Sequence, residues 1–229
     1  MSGIAWLQKT DPPETLPVTS RALREPNGLL AVGGALTPEW LIHAYRHGVF
    51  PWFSFEQPIL WWAPDPRAVL VPAEFRISRS LARSIRNRGY VTRVDTAFGT
   101  VLEACAGPRR GIAGTWITDE MRAAYLELHH RGLAHSIETW RGEDLVGGLY
   151  GVALGRVFFG ESMFTHERDA SKVALACLVR LCLRRDVPLI DCQMPSPHLA
   201  SLGSRSVVRA DFESLLAGLV DADARLWRE

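Results

Sequence analysis

The sequence predicts an α+β fold, with a small N-terminal domain over residues 1–65 and a larger domain over 66–229 built on a mixed, splayed sheet. Three observations carry that prediction. Residues 1–65 are dense in Pro, Gly and Trp and hold no sustained hydrophobic period. From Arg67 onward the pattern turns to regular strands and amphipathic helices. Between residues 135 and 193, three strand-like stretches run closely together and are followed by an amphipathic helix and one more strand. A meander closed by a helical crossover makes a sheet with both antiparallel and parallel pairs. At 229 residues and 47% hydrophobic, the chain can bury a full core in one large and one smaller domain.

Leu29-Leu-Ala-Val-Gly-Gly-Ala-Leu36 is a short apolar segment broken by glycines. Thr37-Pro38 then opens a helix, with Thr as the N-cap and Pro at the first helical position. Trp40, Leu41, Ala44 and Tyr45 give that helix an apolar face, and Gly48 stops it. Val49-Phe-Pro-Trp-Phe-Ser-Phe55 and Leu60-Trp-Trp-Ala-Pro-Asp-Pro-Arg67 follow. Their aromatics suit a small aromatic-packed domain, and Trp52, Trp61 and Trp62 also suit the lining of a groove at the domain junction.

Arg67–Val71 reads as a strand, and Ser78 caps a helix over Arg79–Arg88. Arg79, Arg83 and Arg86 fall at i, i+4 and i+7, so three guanidinium groups share one helix face. The 67–93 segment carries seven Arg against one Glu. Such a run is usually a solvated face; here it also matches what phosphate contacts require. Further helices are expected over Ala97–Ala106 and from Thr118 to Arg131, the second with Asp119 and Glu120 at its N-terminus and Gly132 as its stop.

His135–Trp140, Leu145–Ala153 and Val157–Phe164 read as the meander, turning at Arg141-Gly-Glu-Asp144 and Leu154-Gly-Arg156. Asp169 is expected to cap the helix 170–185, which leads to a strand over Val187–Gln193. The third strand ends on a lone carboxylate, Glu161, which is costly unless solvated, paired or used. Period-2 alternation places Asp191 and Gln193 on one face of the last strand and Cys192 on the other. If the two strands are neighbours, Glu161, Asp191 and Gln193 form one polar cluster. A structural network, a carboxylate pair for glycoside hydrolysis and acyl transfer to an amine all stay open for it. Gly160-Glu-Ser-Met163 is not a nucleophile elbow, so Ser162 is not expected to attack substrate.

This order of elements resembles the acyltransferase fold of the GCN5-related N-acetyltransferases, in which the strands corresponding to 157–164 and 187–193 splay apart and acyl transfer occurs in the gap. Those enzymes hold the coenzyme A pyrophosphate on a Gly-rich turn. The corresponding segment here, Thr165-His-Glu-Arg-Asp-Ala-Ser-Lys172, has no glycine. Backbone N–H groups cannot approach a pyrophosphate there in the usual way. Coenzyme A is therefore disfavoured, although a coenzyme A-dependent N-acetyltransferase stays as the alternative, and the Arg-rich face suggests a nucleic-acid carrier for the acyl group.

Composition narrows the classes further. The chain holds 24 Arg and only two Lys, Lys9 and Lys172. Coding bias accounts for that as readily as phosphate recognition does. The four cysteines form no CxxC pair and no histidine sits at zinc-finger spacing, so no metal site, disulfide framework or cofactor is expected. The N-terminus lacks a secretory pattern and no apolar run reaches the roughly 20 residues of a membrane span, which points to a cytoplasmic protein with no membrane partner.

Ten segments, in order, resemble the bacterial leucyl/phenylalanyl-tRNA–protein transferase family. They are Gly28-Leu-Leu-Ala-Val-Gly-Gly34, Phe50-Pro-Trp-Phe53, Trp61-Trp-Ala-Pro-Asp-Pro-Arg67, Gly114-Thr-Trp-Ile117 and His135-Ser-Ile-Glu138, then Leu145-Val-Gly-Gly-Leu-Tyr-Gly-Val152, Gly160-Glu-Ser-Met-Phe164, Asp169-Ala-Ser-Lys172, Leu189-Ile-Asp-Cys-Gln193 and His198-Leu-Ala-Ser-Leu-Gly203. Each alone is weak, and the ordered set is specific.

The resemblance implies transfer of Leu or Phe from leucyl-tRNA or phenylalanyl-tRNA to proteins beginning with Arg or Lys, marking them for N-end rule degradation. It implies that Asp191, Gln193 and Glu161 are the catalytic or acceptor-binding set. Trp52 and Trp116 would flank the aminoacyl-adenosine end, and Phe158, Leu149 and Leu178 would line the amino-acid pocket. Leu149 stands where the family leads one to expect Met, a side chain of similar volume. Arg79, Arg83 and Arg86 are the expected tRNA contacts, and the protein is expected to act as a monomer. In this reading Asp191 binds the attacking amine, Gln193 orients it and Glu161 meets the cationic N-terminus of the acceptor.

Overall fold

The computed structural model describes residues 3–107 and 117–223. The N-terminal part builds a four-stranded sheet in the order β1-β2-β4-β3. Its strands are β1 (Ala5–Leu7), β2 (Leu29–Gly33), β3 (Phe50–Pro51) and β4 (Leu60–Trp62). Helix α1 (Pro38–Arg46) covers the sheet and starts where expected, with the Thr37 hydroxyl accepting from Trp40 N–H. Trp40 stacks on Trp61 at 5.6 Å, so two of the many tryptophans serve as core for this small sheet.

The larger sheet has seven strands in the order β11-β5-β10-β9-β8-β7-β6. In chain order its elements are β5 (Arg67–Leu70), α2 (Arg79–Asn87), β6 (Val91–Val94), α3 (Phe98–Ala106), α4 (Asp119–His130), β7 (Ala134–Arg141), β8 (Asp144–Leu154) and β9 (Val157–Thr165), followed by α5 (Ala170–Arg184), β10 (Leu189–Gln193), α6 (Pro197–Ser201), β11 (Arg205–Val207) and α7 (Arg209–Leu219). The meander β7-β8-β9 is antiparallel, and α5 crosses over to set β10 parallel to β9. That parallel pairing covers only Val157–Phe159 against Leu189–Asp191. Beyond Phe159 the two strands part, so the expected splayed, mixed sheet is what forms.

Four elements of this larger sheet and its helices escape the periodicity of the sequence. β6 and β11 are edge strands of four and three residues with mostly exposed side chains, so neither shows apolar alternation. Helices α6 and α7 lie beyond the last strand that the pattern made visible. Asp169 also departs from expectation. It precedes α5 at φ 63° and its side chain makes no capping bond. Instead its carboxylate accepts from Ser84 Oγ (2.8 Å) and Lys172 Nζ (3.1 Å), tying α2 to the start of α5.

Apolar packing is continuous from the first sheet into the second: one buried cluster contains Trp40, Tyr45 and Trp61 together with Phe98, Tyr125, Tyr150, Phe159 and Phe212. A second cluster on the opposite face of the large sheet joins Leu149, Phe158, Leu175, Leu178 and Ile190. Close packing on that face needs Gly151, where a Cβ would sit 2.2 Å from the Phe159 carbonyl oxygen and 2.6 Å from the Phe158 ring. Among the described residues no helix is long and apolar enough to cross a membrane, and no group of His, Cys, Asp and Glu could hold a metal ion.

Candidate active site

The site lies where β9 and β10 separate. The apolar run Val157-Phe-Phe159 ends at Gly160, and the next side chain, Glu161, points to the gap. Its Oε2 accepts from the Tyr125 hydroxyl at 2.7 Å, and the Tyr125 oxygen lies 2.6 Å from the Tyr45 hydroxyl. Because each phenol has one proton and Tyr125 gives its own to Glu161, Tyr45 donates to Tyr125. Burial and the nearby Glu161 charge push both phenols well up, so they stay protonated. The other oxygen of Glu161, Oε1, accepts from Gln193 Nε2 at 3.2 Å.

Glu161 titrates far from an ordinary carboxyl. Burial is the main cause of a rise from 4.5 to about 7; the Asp191 charge adds to it, while the Tyr125 hydrogen bond, the Tyr45 hydroxyl behind it and the Arg67 charge pull the other way. A carboxyl in that range exchanges its proton near neutral pH, which suits acid–base work.

Asp191 is placed differently from the sequence expectation. It is fully buried, and both its oxygens are taken: Arg67 Nε donates to Oδ1 at 2.8 Å and Nη2 to Oδ2 at 2.7 Å. Oδ1 also accepts from the backbone N–H of Gln193 at 3.0 Å. A bidentate guanidinium pair with its remaining lone pair satisfied is the form in which a buried ion pair is tolerated. Asp191 thus faces Arg67 rather than the cleft, and direct binding of an amine is not open to it. What it reaches is Gln193, which sits at φ 54°, beside a register shift between Asp191 and Gln193 in the pairing with β5. The shift also undoes the expected alternation, since Cys192 and Gln193 line the same cavity. Burial and the adjacent Asp191 charge raise the Cys192 thiol strongly, so it is no thiolate nucleophile.

That cavity, of about 250 Å³, runs from Glu161 and Gln193 into the second apolar cluster. Leu149, Phe158, Met163, Leu175, Leu178 and Ile190 form its walls, with Ser196 and His198 at its side. It is a little smaller than the roughly 300–1,000 Å³ of pockets for drug-sized ligands, the scale of one large side chain. The structure therefore gathers Glu161, Gln193, Phe158, Leu149 and Leu178 around one space, with Asp191 directly behind Gln193. Trp52 does not line it; 45% exposed, it packs edge-on against Trp62 at 5.8 Å. Trp116 lies outside the described residues.

Arg79, Arg83 and Arg86 are exposed along α2, and none forms an ion pair with a described residue. Arg83 borders a surface cavity with Ser84, Arg88 and Arg168, so Arg168 extends the positive face. The seven arginines of 67–93 are not one patch, however. Arg67 is buried against Asp191, and Arg93 covers the Trp140 ring at 4.8 Å. Sequence reasoning missed Tyr45, Tyr125 and Arg67 as parts of the site. Tyr45 read as one more apolar helix position, and Arg67 as one more member of a basic run. An arginine leading the wholly buried strand Arg67-Ala-Val-Leu70 was itself a signal that a buried acid waits for it.

Two family models match this chain. The one described as Leucyl/phenylalanyl-tRNA protein transferase covers residues 69–217, and the one for the N-terminal domain of the same family covers 34–65. A protein of that name from Azoarcus sp. (strain BH72) is 60% identical over 91% of this chain and 88% of its own. Its namesake from Thiobacillus denitrificans is 60% identical over 90% of each chain. The one from Azotobacter vinelandii is 56% identical over 90% of this chain and 92% of its own. Among solved structures, L-PGS from Bacillus licheniformis matches at 11% identity and a TM-score of 0.39 over 68% of this chain and 50% of that one.

Proposed function

This chain belongs to the leucyl/phenylalanyl-tRNA–protein transferase family, and from that premise we propose that its cleft joins Leu or Phe from aminoacyl-tRNA to the N-terminal amine of proteins beginning with Arg or Lys. The chain is an aminoacyltransferase acting from aminoacyl-tRNA to proteins. The observation that carries the finer reading is the shape of the site: a side-chain-sized apolar cavity whose open end holds Glu161 and Gln193.

The aminoacyl ester is already activated, so the enzyme has mainly to hold ester and amine in attack geometry. The Leu or Phe side chain fills the space between Phe158, Leu149 and Leu178, which leaves the ester carbonyl at the mouth. The acceptor's α-amine approaches Glu161, whose carboxylate binds the ammonium and takes a proton from it. The amine then attacks, a C–N bond forms, the C–O bond to the ribose breaks, and the departing oxygen takes up the proton that the attacking nitrogen loses and leaves as a hydroxyl. Gln193 has no useful pKa and serves to orient the reactants. The Arg79, Arg83 and Arg86 face holds tRNA phosphates. Trp52, exposed near the domain junction, is free to stack on a base of the acceptor end.

The coenzyme A alternative is not favoured. Where its pyrophosphate would meet the start of α5, Ala170 N–H is already given to the Glu167 carbonyl at 3.1 Å. The Asp169 carboxylate, held low by its hydrogen bonds from Ser84 and Lys172 against the effect of burial, adds negative charge there. The decisive test is transfer of labelled Leu from leucyl-tRNA to a peptide beginning with Arg, with an Ala-initiated peptide as control. Transfer to the Arg peptide alone supports the reading; binding of tRNA with no loss of the ester overturns it in favour of a non-catalytic RNA-binding module.

A further inference from the structure

Arg67 is fully buried, yet its guanidinium meets three separate parts of the chain. In its plane it donates two hydrogen bonds to Asp191 on β10, at 2.8 and 2.7 Å. Its central carbon also lies over two rings, Phe50 from β3 at 4.8 Å and Phe212 from α7 at 4.7 Å. A planar cation held against two rings and forked onto one carboxylate has almost no freedom left, which lysine could not reproduce. Asp191 uses the oxygen it shares with Arg67 Nε to accept the Gln193 backbone N–H at 3.0 Å. Gln193 is the residue that most needs such a hold. It sits at φ 54°, a conformation disfavoured for a side chain of its kind, and its amide reaches Glu161.

We propose that Arg67 is a positioning residue for aminoacyl transfer, acting through Asp191 to fix the backbone turn at Gln193 and thereby the amide that meets Glu161 and the reacting ester. It touches no substrate. Phe50 and Phe212 belong to the same device, because they set the plane of the guanidinium and so the tilt of the Asp191 carboxylate. Strand β10 is paired to β9 only as far as Asp191, so Gln193 has no ladder on that side, and its pairing with Ala68 of β5 on the other side follows a register shift. The fork from Arg67 adds a side-chain hold where the pairing with β9 has ended and that with β5 is irregular, and the active turn is steadied by side chains on otherwise separate parts of the fold.

This inference rests on the cleft being the transfer site, so wild-type enzyme is first shown to move labelled Leu from leucyl-tRNA to an Arg-initiated peptide; failure there overturns the functional reading and not the role of Arg67 within the fold. Arg67→Lys, Asp191→Asn, the double variant and Phe212→Leu are then compared for kcat, KM for both substrates, and melting temperature. Arg67→Lys is expected to lower kcat roughly 10- to 100-fold while KM for leucyl-tRNA stays within about twofold, since misplacing a reacting group costs rate rather than binding. The double variant is expected to be no slower than the slower single variant, because both break one connection. Phe212→Leu leaves the ion pair intact and is expected to fold and to show the same split to a lesser degree. Should Arg67→Lys fail to fold, Phe212→Leu decides alone. A purely structural Arg67 lowers the melting temperature but leaves kcat per folded molecule within about threefold of wild type, and that result, or effects that multiply in the double variant, overturns the proposal.

Discussion

Glu161 is an acid whose direct hydrogen-bond partners are a hydroxyl and an amide, with no cation in contact among the described residues. Its folded-state pKa, about 7, lies above the ordinary 4.5, so between those values the native protein binds more protons than the unfolded chain. Stability from this group is therefore greatest in acid and falls as pH rises from about 4.5 to about 7. Glu161→Gln should melt close to wild type near pH 5 and above it at pH 8; scanning calorimetry across that range checks the sign. If the carboxylate is what receives the acceptor's proton, the wild-type rate should fall on the acid side with a midpoint near 7, and the much slower Gln variant should lose that limb. The sequence made Glu161 conspicuous by its place at the end of an apolar strand. It could not supply the phenols. Tyr125 lies 36 positions away and donates across from another helix, and Tyr45 stands 80 positions from Tyr125. The partner of Asp191 was hidden in the same way, 124 positions off. Periodicity places a side chain on a face, but it does not say which distant face comes to meet it.

At the scale of elements, what was legible followed period and capping. α1, α2 and the meander appear within a residue or two of their expected ends, because Thr37, Ser78 and the turn at Gly142 leave local marks. The cap at Asp169 and the alternation at Cys192 and Gln193 were misjudged because Asp169 and Gln193 each adopt positive φ, with a tertiary tie to Ser84 in one case and a local bond to Asp191, beside a register shift, in the other. Two predictions belong here. Replacing Arg79, Arg83 and Arg86 together by Gln should weaken tRNA binding and reduce the slope of log K against log salt by roughly 2 to 3. Filter binding at several salt concentrations reads both, and an unchanged slope removes α2 from the interface. Leu178, 1% exposed on α5, lines the apolar cavity. Leu178→Ala should cost about 2–5 kcal/mol of stability and raise Phe transfer relative to Leu, as measured by denaturant unfolding and by competition between the two aminoacyl-tRNAs.

For the whole molecule, the change in sequence texture near residue 66 suggests two domains, whereas the apolar packing runs through both sheets. Tyr45 of α1 packs on Phe159 of β9 at 5.0 Å, deep in the shared cluster. Cooperative loss of both sheets is the expected outcome: far-UV circular dichroism and the fluorescence of Trp40 and Trp61 should report one denaturation midpoint, and two separated midpoints would show the N-terminal sheet to be independent. Tyr45→Phe should lower that common midpoint while also lowering the transfer rate, since the hydroxyl is the end of the chain of donors that supports Glu161.

The pair of rings held against Arg67 also bears on how the enzyme is made. Synthesis runs toward higher residue numbers, so Phe50, Arg67, Asp191, Gln193 and Glu161 all leave the ribosome before Phe212 does. Until α7 follows, the guanidinium has only one of its two rings. A chain stopped between Leu199 and that helix would carry the whole cleft in sequence and still lack the part that steadies it. A copy unfinished at that point should therefore be a silent one, with activity appearing only as α7 docks.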